Sequence, residues 1–128
     1  MLREGKDVAI IADGLMVWEA LAATEELQKD GISASVVDMH TIKPIDEKLV
    51  ASLAEKTGAI VTAEEHQVWG GLGAAVAQAA ARTWPVPVES VGVQDTYAES
   101  GPPDALLKKY GLTASRIVEA ARRAIQRK

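Results

Sequence analysis

Short runs of β-branched and small apolar residues alternate along this chain with stretches whose apolar positions recur at helical spacing. Val8 to Ala12 is strand-like and ends at Asp13-Gly14; from Met16 to Asp30 the spacing becomes helical, with Val17, Ala20, Leu21, Thr24 and Leu27 on one side. Gly31 suits the left-handed conformation that closes such a helix, and Ile32 to Met39 resumes strand character. Lys43-Pro44 blocks that strand, Asp46 caps a helix carrying Leu49, Val50, Leu53 and Ala54, and Gly58 stops it. Ala59 to Ala63 is the third strand. Leu72, Val76, Ala79 and Ala80 then form a small-residue helix face, followed by Pro85 to Val93, a strand with edge-like prolines. Asp95 to Gly101 reads as a loop and Pro103 to Tyr110 as a short helix. Thr113 reads as the cap of a separate last helix with Ile117, Ala121, Ala124 and Ile125 inside. Strands alternating with helices predict a three-layer α/β/α sandwich around a mostly parallel sheet of four or five strands. Residues 1–6 read as a linker-like start and residues 7–128 as one domain.

Composition narrows the class. A chain of 128 residues, 48% hydrophobic and 25% charged, is an ordinary globular domain. No apolar run approaches the ~20 residues of a membrane span, and Met1 to Asp7 leads into no signal-type apolar block, so the cytoplasm is the expected location. The absence of cysteine removes disulfides, thiolate catalysis and cysteine-ligated metals. The net charge of −4 is uneven: residues 1–101 hold 7 basic and 16 acidic groups, whereas residues 102–128 hold 7 basic and 2 acidic. Cations along a final helix complement its dipole; a docking surface for an acidic neighbour is the alternative. An acidic chain with few aromatics argues against nucleic acid as a partner.

Candidate chemistry gathers in Ala59 to Gly73, AIVTAEEHQVWGGLG, which places Glu64, Glu65 and His66 at the carboxyl end of a strand. Gly70, Gly71 and Gly73 at a helix start form a phosphate-loop candidate. The pattern lacks both the third glycine of a dinucleotide site, since Val76 stands there, and the lysine and hydroxyl of a P-loop, so close backbone packing is the competing explanation. Glu64 and His66 alternate onto one side of an extended chain, as an acid–base pair or metal site requires, but His40 is the only other histidine. Trp69 is either a partner anchor or a cover over the end of the sheet. Asp95, Tyr97, Glu99 and Ser100 share one polar loop, and no Gly-x-Ser-x-Gly nucleophile elbow occurs.

From about Gly5 onward the chain resembles the carboxyl-terminal domain of transketolases and related thiamine-diphosphate enzymes. The resemblance rests on five segments in order: Gly5-Lys6-Asp7-Val8 with Ile10-Ile11-Ala12; Thr41-Ile42-Lys43-Pro44-Ile45-Asp46; Val61-Thr62-Ala63-Glu64-Glu65-His66 with Gly70-Gly71-Leu72-Gly73; Asp95 to Gly101; and Leu106 to Leu112. Asp13 and Tyr97 depart from the pattern, standing where a small or hydroxyl residue and a phenylalanine are usual. The resemblance implies a five-stranded sheet with one antiparallel strand, the first. It also implies a parent enzyme that moves a two-carbon ketol unit between sugar phosphates, with thiamine diphosphate and magnesium held by two other domains of a dimer. The family's diphosphate motif, Gly-Asp-Gly followed by asparagine, occurs nowhere in this sequence. The expectation is therefore an assembly domain that binds no cofactor itself, has no turnover alone, and partners the cofactor-binding domains as a homodimer. Alternatives are an independent anion- or metabolite-binding module, and the equivalent domain of a 2-oxoacid dehydrogenase or deoxyxylulose-phosphate synthase.

Overall fold

A computed structural model describes residues 2–14, 16–39, 45–64, 71–92 and 103–128, without the side chains of 103–113. The elements are β1 (Val8–Ala12), α1 (Met16–Lys29), β2 (Ala34–Asp38), α2 (Glu47–Thr57), β3 (Ile60–Glu64), α3 (Leu72–Thr83), β4 (Val88–Gly92) and α4 (Pro103–Gln126). The strands lie in the order β2-β1-β3-β4, and every neighbouring pair is parallel.

The period-2 alternation of side chains divides the interior in two. Val8, Ile10 and Ala12 of β1 join Val36, Val61 and Val91 under α1 and α4, where Leu27, Ile117 and Ala121 are buried. Ala9 and Ile11 join Val37 and Ile60 under α2 and α3, against Leu53, Leu72 and Val76. The helix ends follow the residues that mark them. Asp46 accepts a hydrogen bond from the Leu49 amide at 3.0 Å, and Gly58 closes α2 at φ 75° with its N–H on the Ala54 carbonyl. Gly31 follows α1 at φ 76°.

The sheet corrects the expectation of five strands with one antiparallel edge: four strands are present, all parallel, among the described residues. The strand expected to run antiparallel, β1, lies inside the sheet and is parallel to both neighbours. Each strand-to-strand link is a helical crossover, which returns the chain to the same end of the sheet and so enforces parallel pairing. Among the described residues, antiparallel contact is confined to an isolated bridge between Arg3 and Val36. It does not grow into a ladder because the Ser35 hydroxyl takes both backbone groups of Gly5, each at 2.8 Å. A Cβ on Gly5 would come within 2.4 Å of the Ala34 carbonyl carbon, so only glycine lets the chain pass there.

The two helices expected after residue 102 are one continuous helix, α4. Thr113 reads as the cap of a separate helix, yet the chain runs through it and through Gly111 without a break; an interior glycine costs only about 1 kcal/mol relative to alanine, and the apolar face of α4 packed on the sheet outweighs it.

At the open edge, Glu89 of β4 joins the sheet to α4 through Arg123 and Arg127. Partial burial pushes the Glu89 carboxyl up, but hydrogen bonds and charge from the two arginines hold it below its ordinary value. A depressed folded-state pKa contributes stability above the unfolded carboxyl range, and that contribution is lost as pH falls through the lowered value. Urea unfolding should therefore show Glu89→Gln less stable than the parent at pH 7, by no more than about 1 kcal/mol because the arginines are half exposed. The gap should close below the ordinary carboxyl range; a gap that persists in acid would contradict this assignment.

Candidate functional site

The chain leaves β1 towards β2 through α1 on one face, and leaves β3 towards β4 through α3 on the other. The diverging connections make the carboxyl ends of these two adjacent strands the topological switch point, the usual ligand or partner position in open α/β sheets. The described residues there are Asp13 and Gly14 after β1, Glu64 at the end of β3, and the start of α3 at Gly71. The Asp13 amide donates to the Ala63 carbonyl at 3.3 Å, tying the two strand ends together, and Gly14 turns the chain into α1 at φ 57°.

Glu64 is buried, and its Oε2 accepts the Gly73 amide at 2.8 Å. A helix start presents unpaired N–H groups and the positive end of a dipole. Gly71, the cap residue of α3, has no side chain to meet them, and no acidic residue lies in the first turn. Glu64 supplies an acceptor from the neighbouring strand.

Gly73 has a second constraint. A Cβ there would lie 2.6 Å from Ser90 Oγ and 3.1 Å from Thr62 Oγ1. These hydroxyls bond each other at 3.0 Å across β3 and β4 and form a shelf on which α3 begins. The glycine therefore permits close approach of helix to sheet. Because Glu64 already holds one of the amides, an incoming phosphate would meet a carboxylate there. Among the described residues, no group of three or more histidines, aspartates or glutamates is placed to hold a metal ion. The described residues do not fit a magnesium-bound diphosphate.

Of the residues singled out from sequence, Glu64, Gly71 and Gly73 converge at this point. Glu65, His66, Trp69, Gly70, Asp95, Tyr97 and Ser100 lie outside the described residues. Sequence reasoning paired Glu64 with His66 and did not find its bond to Gly73, nor the Thr62–Ser90 shelf. The shelf depends on strand register across 28 residues, which no local pattern records. Trp18 was also overlooked, although it falls outside the apolar side of α1 and is 72% exposed.

Residues 1–117 match the family model of the transketolase C-terminal domain. This chain belongs to that family. It is 52% identical over 128 residues to the 6-deoxy-6-sulfo-D-fructose transketolase subunit SqwH of Clostridium sp. (strain MSTE9), covering 100% of this chain and 40% of that protein. It is 43% identical over 123 residues to the 1-deoxy-D-xylulose-5-phosphate synthase of Desulforudis audaxviator (strain MP104C), covering 94% of this chain and 19% of that one. A solved structure of a split-gene transketolase, in an inactive beta4 tetramer, superposes with a TM-score of 0.88 at 51% identity, over 99% of this chain and 42% of the other. The chain thus corresponds to the carboxyl-terminal domain of a transketolase-family enzyme and spans less than half the length of these relatives.

The Gly73 shelf is testable by a double-mutant cycle in urea. Gly73→Ala should cost about 1–3 kcal/mol through overpacking, and should cost less in a Ser90→Gly background, which removes the nearest contact. Strict additivity would show that the approach to Ser90 is not the constraint. Glu64→Ala should also destabilise by about 1–3 kcal/mol, by removing the acceptor for a buried amide.

Proposed function

We propose that this chain is the assembly section of a transketolase whose cofactor chemistry resides in companion domains, and that it has no turnover alone. The observation that carries this reading is the match of the whole chain to 40% of a transketolase subunit. In this reading residues 7–128 act as the domain and residues 1–6 as its connection. The companion domains bind thiamine diphosphate and magnesium, and the assembled enzyme moves a two-carbon ketol unit between phosphorylated sugars in the cytoplasm. Self-association as a homodimer belongs to the same proposal. Glu65, His66, Trp69 and Gly70, between β3 and α3, and Asp95, Tyr97 and Ser100, between β4 and α4, are proposed to face those companions. They follow the carboxyl ends of two strands, on the side where Glu64 fixes the start of α3.

The higher identity to the transketolase subunit than to the deoxyxylulose-phosphate synthase supports ketol transfer over the synthase reaction. An independent anion-binding module fits less well, because Glu64 holds the Gly73 amide that a phosphate would need.

Purified chain supplied with thiamine diphosphate, magnesium, a ketose phosphate donor and an aldose phosphate acceptor should show no ketol transfer above buffer. Co-expression with the cofactor-binding domains of a transketolase should give a complex that co-purifies. Turnover by the chain alone would refute the division of labour. Heat on titration with millimolar sugar phosphate would favour the independent module.

A further inference from the structure

We infer that the open edge of β4 is a docking site for an extended segment of a partner protein in which acidic and apolar residues alternate, added beside β4 as a further strand. The two edges of the sheet differ. Outside β2, the Leu2 amide donates to the Val36 carbonyl and the Val36 amide to the Arg3 carbonyl, each at 2.9 Å, so the chain covers part of that edge itself. Among the described residues, β4 has a strand on one side only, β3. In their register Val61 stands opposite Glu89, and the Ile60 amide donates to the Pro87 carbonyl. Backbone groups alternate between the two edges of a parallel strand. Glu89 and Val91 therefore turn theirs to β3, and Val88, Ser90 and Gly92 turn theirs outward. Pro87 falls in the inward phase, so this proline takes no donor from the open edge.

The side chains on the two faces of that edge select the strand that fits it. On the α4 face, Arg123 and Arg127 hold Glu89, yet their side chains stay 54% and 55% accessible, against 19% for Glu89. Seven residues make almost two helical turns, so the exposed Arg116 lies on the same flank of α4, about 10 Å from Arg123 towards the carboxyl end of β4. Three arginines there face one carboxylate. On the other face stand Val88 and Ser90. The side of α3 that continues from Gly73, which meets Ser90, carries Ala77 and Ala81, both exposed, and the exposed Trp84 follows that helix. Arg82, the cation of its last turn, pairs with Glu47 of α2. One face is cationic, and the other is uncharged and small. An added strand shows successive side chains to opposite faces. Carboxylates at alternate positions would reach the arginines, and apolar residues between them would cover Val88, Ala77 and Ala81. Alternate residues are about 6.6 Å apart, so two such carboxylates span the arginine row. Main-chain hydrogen bonds would supply affinity and the two faces specificity.

Fluorescence anisotropy with the full chain and a labelled, end-capped octapeptide of alternating Glu and Val tests this, beside its Lys-Val counterpart. The Glu-Val peptide should bind, and the Lys-Val peptide should not. Binding should slow hydrogen exchange at the Val88, Ser90 and Gly92 amides, read by NMR. N-methylating the peptide in one of its two alternating phases should abolish binding, and in the other phase should leave it. Arg116→Glu should weaken binding about tenfold, with far-UV circular dichroism unchanged. No binding at millimolar peptide, equal binding of the Lys-Val peptide, or binding that leaves those amides unprotected would overturn the inference. So would protection of the same amides in the free chain as its concentration rises, which assigns the edge to a second copy.

Discussion

Strand β1 is confined on every side, and that confinement organises the rest of the molecule. All five residues from Val8 to Ala12 are fully buried. Its two edges are hydrogen-bonded to β2 and β3, and its two faces lie under different helix layers, with Ile10 in one core and Ile11 in the other. A strand in that position must be apolar throughout, and parallel neighbours require crossovers that cover both faces. The path from β1 to β2 takes α1 along one face; the return across β1 to β3 takes α2 along the other. The switch point between β1 and β3 is a consequence of that reversal.

Much of this was legible along the chain, because it depends on local chemistry. The apolar run of β1, the helical spacing from Val17 to Leu27, the Asp46 cap and the glycine stops at Gly31 and Gly58 each state a backbone preference within a few residues. What was not legible depends on partners distant in sequence. The number and direction of strands turn on whether residues 2–5 extend a ladder beside β2, and the hydroxyl of Ser35, 30 residues beyond Gly5, decides that they do not. The continuity of α4 has the same character: Thr113 announces a new helix start locally, while packing of the later turns on the sheet overrides it.

The candidate site divides along the same line. Its glycines were visible, and close backbone packing was a competing reading from the outset. The choice between packing and anion binding required the strand register that sets Thr62 beside Ser90, and the position of Glu64 relative to Gly73. A carboxyl group supplied by the protein to its own helix start accepts the Gly73 amide with or without a ligand. A bound phosphate would do so only when present, and would have to displace or approach that carboxylate at close range. The arrangement is therefore suited to holding a connection in one shape.

That conclusion extends to the layers themselves. Alanine and glycine share the buried helix positions with larger side chains: Ala20 and Ala23 in α1, Ala54 in α2, Gly73, Ala79 and Ala80 in α3, and Ala120, Ala121 and Ala124 in α4 lie beside Met16, Leu27, Leu53, Leu72 and Ile117. Side chains this short bring helix and strand backbones close and leave little volume between them. Among the described residues, the large apolar side chains left outside the core are Leu2, Trp18 and Trp84. Trp18 is such a side chain, on a helix whose inner face already satisfies the core without it.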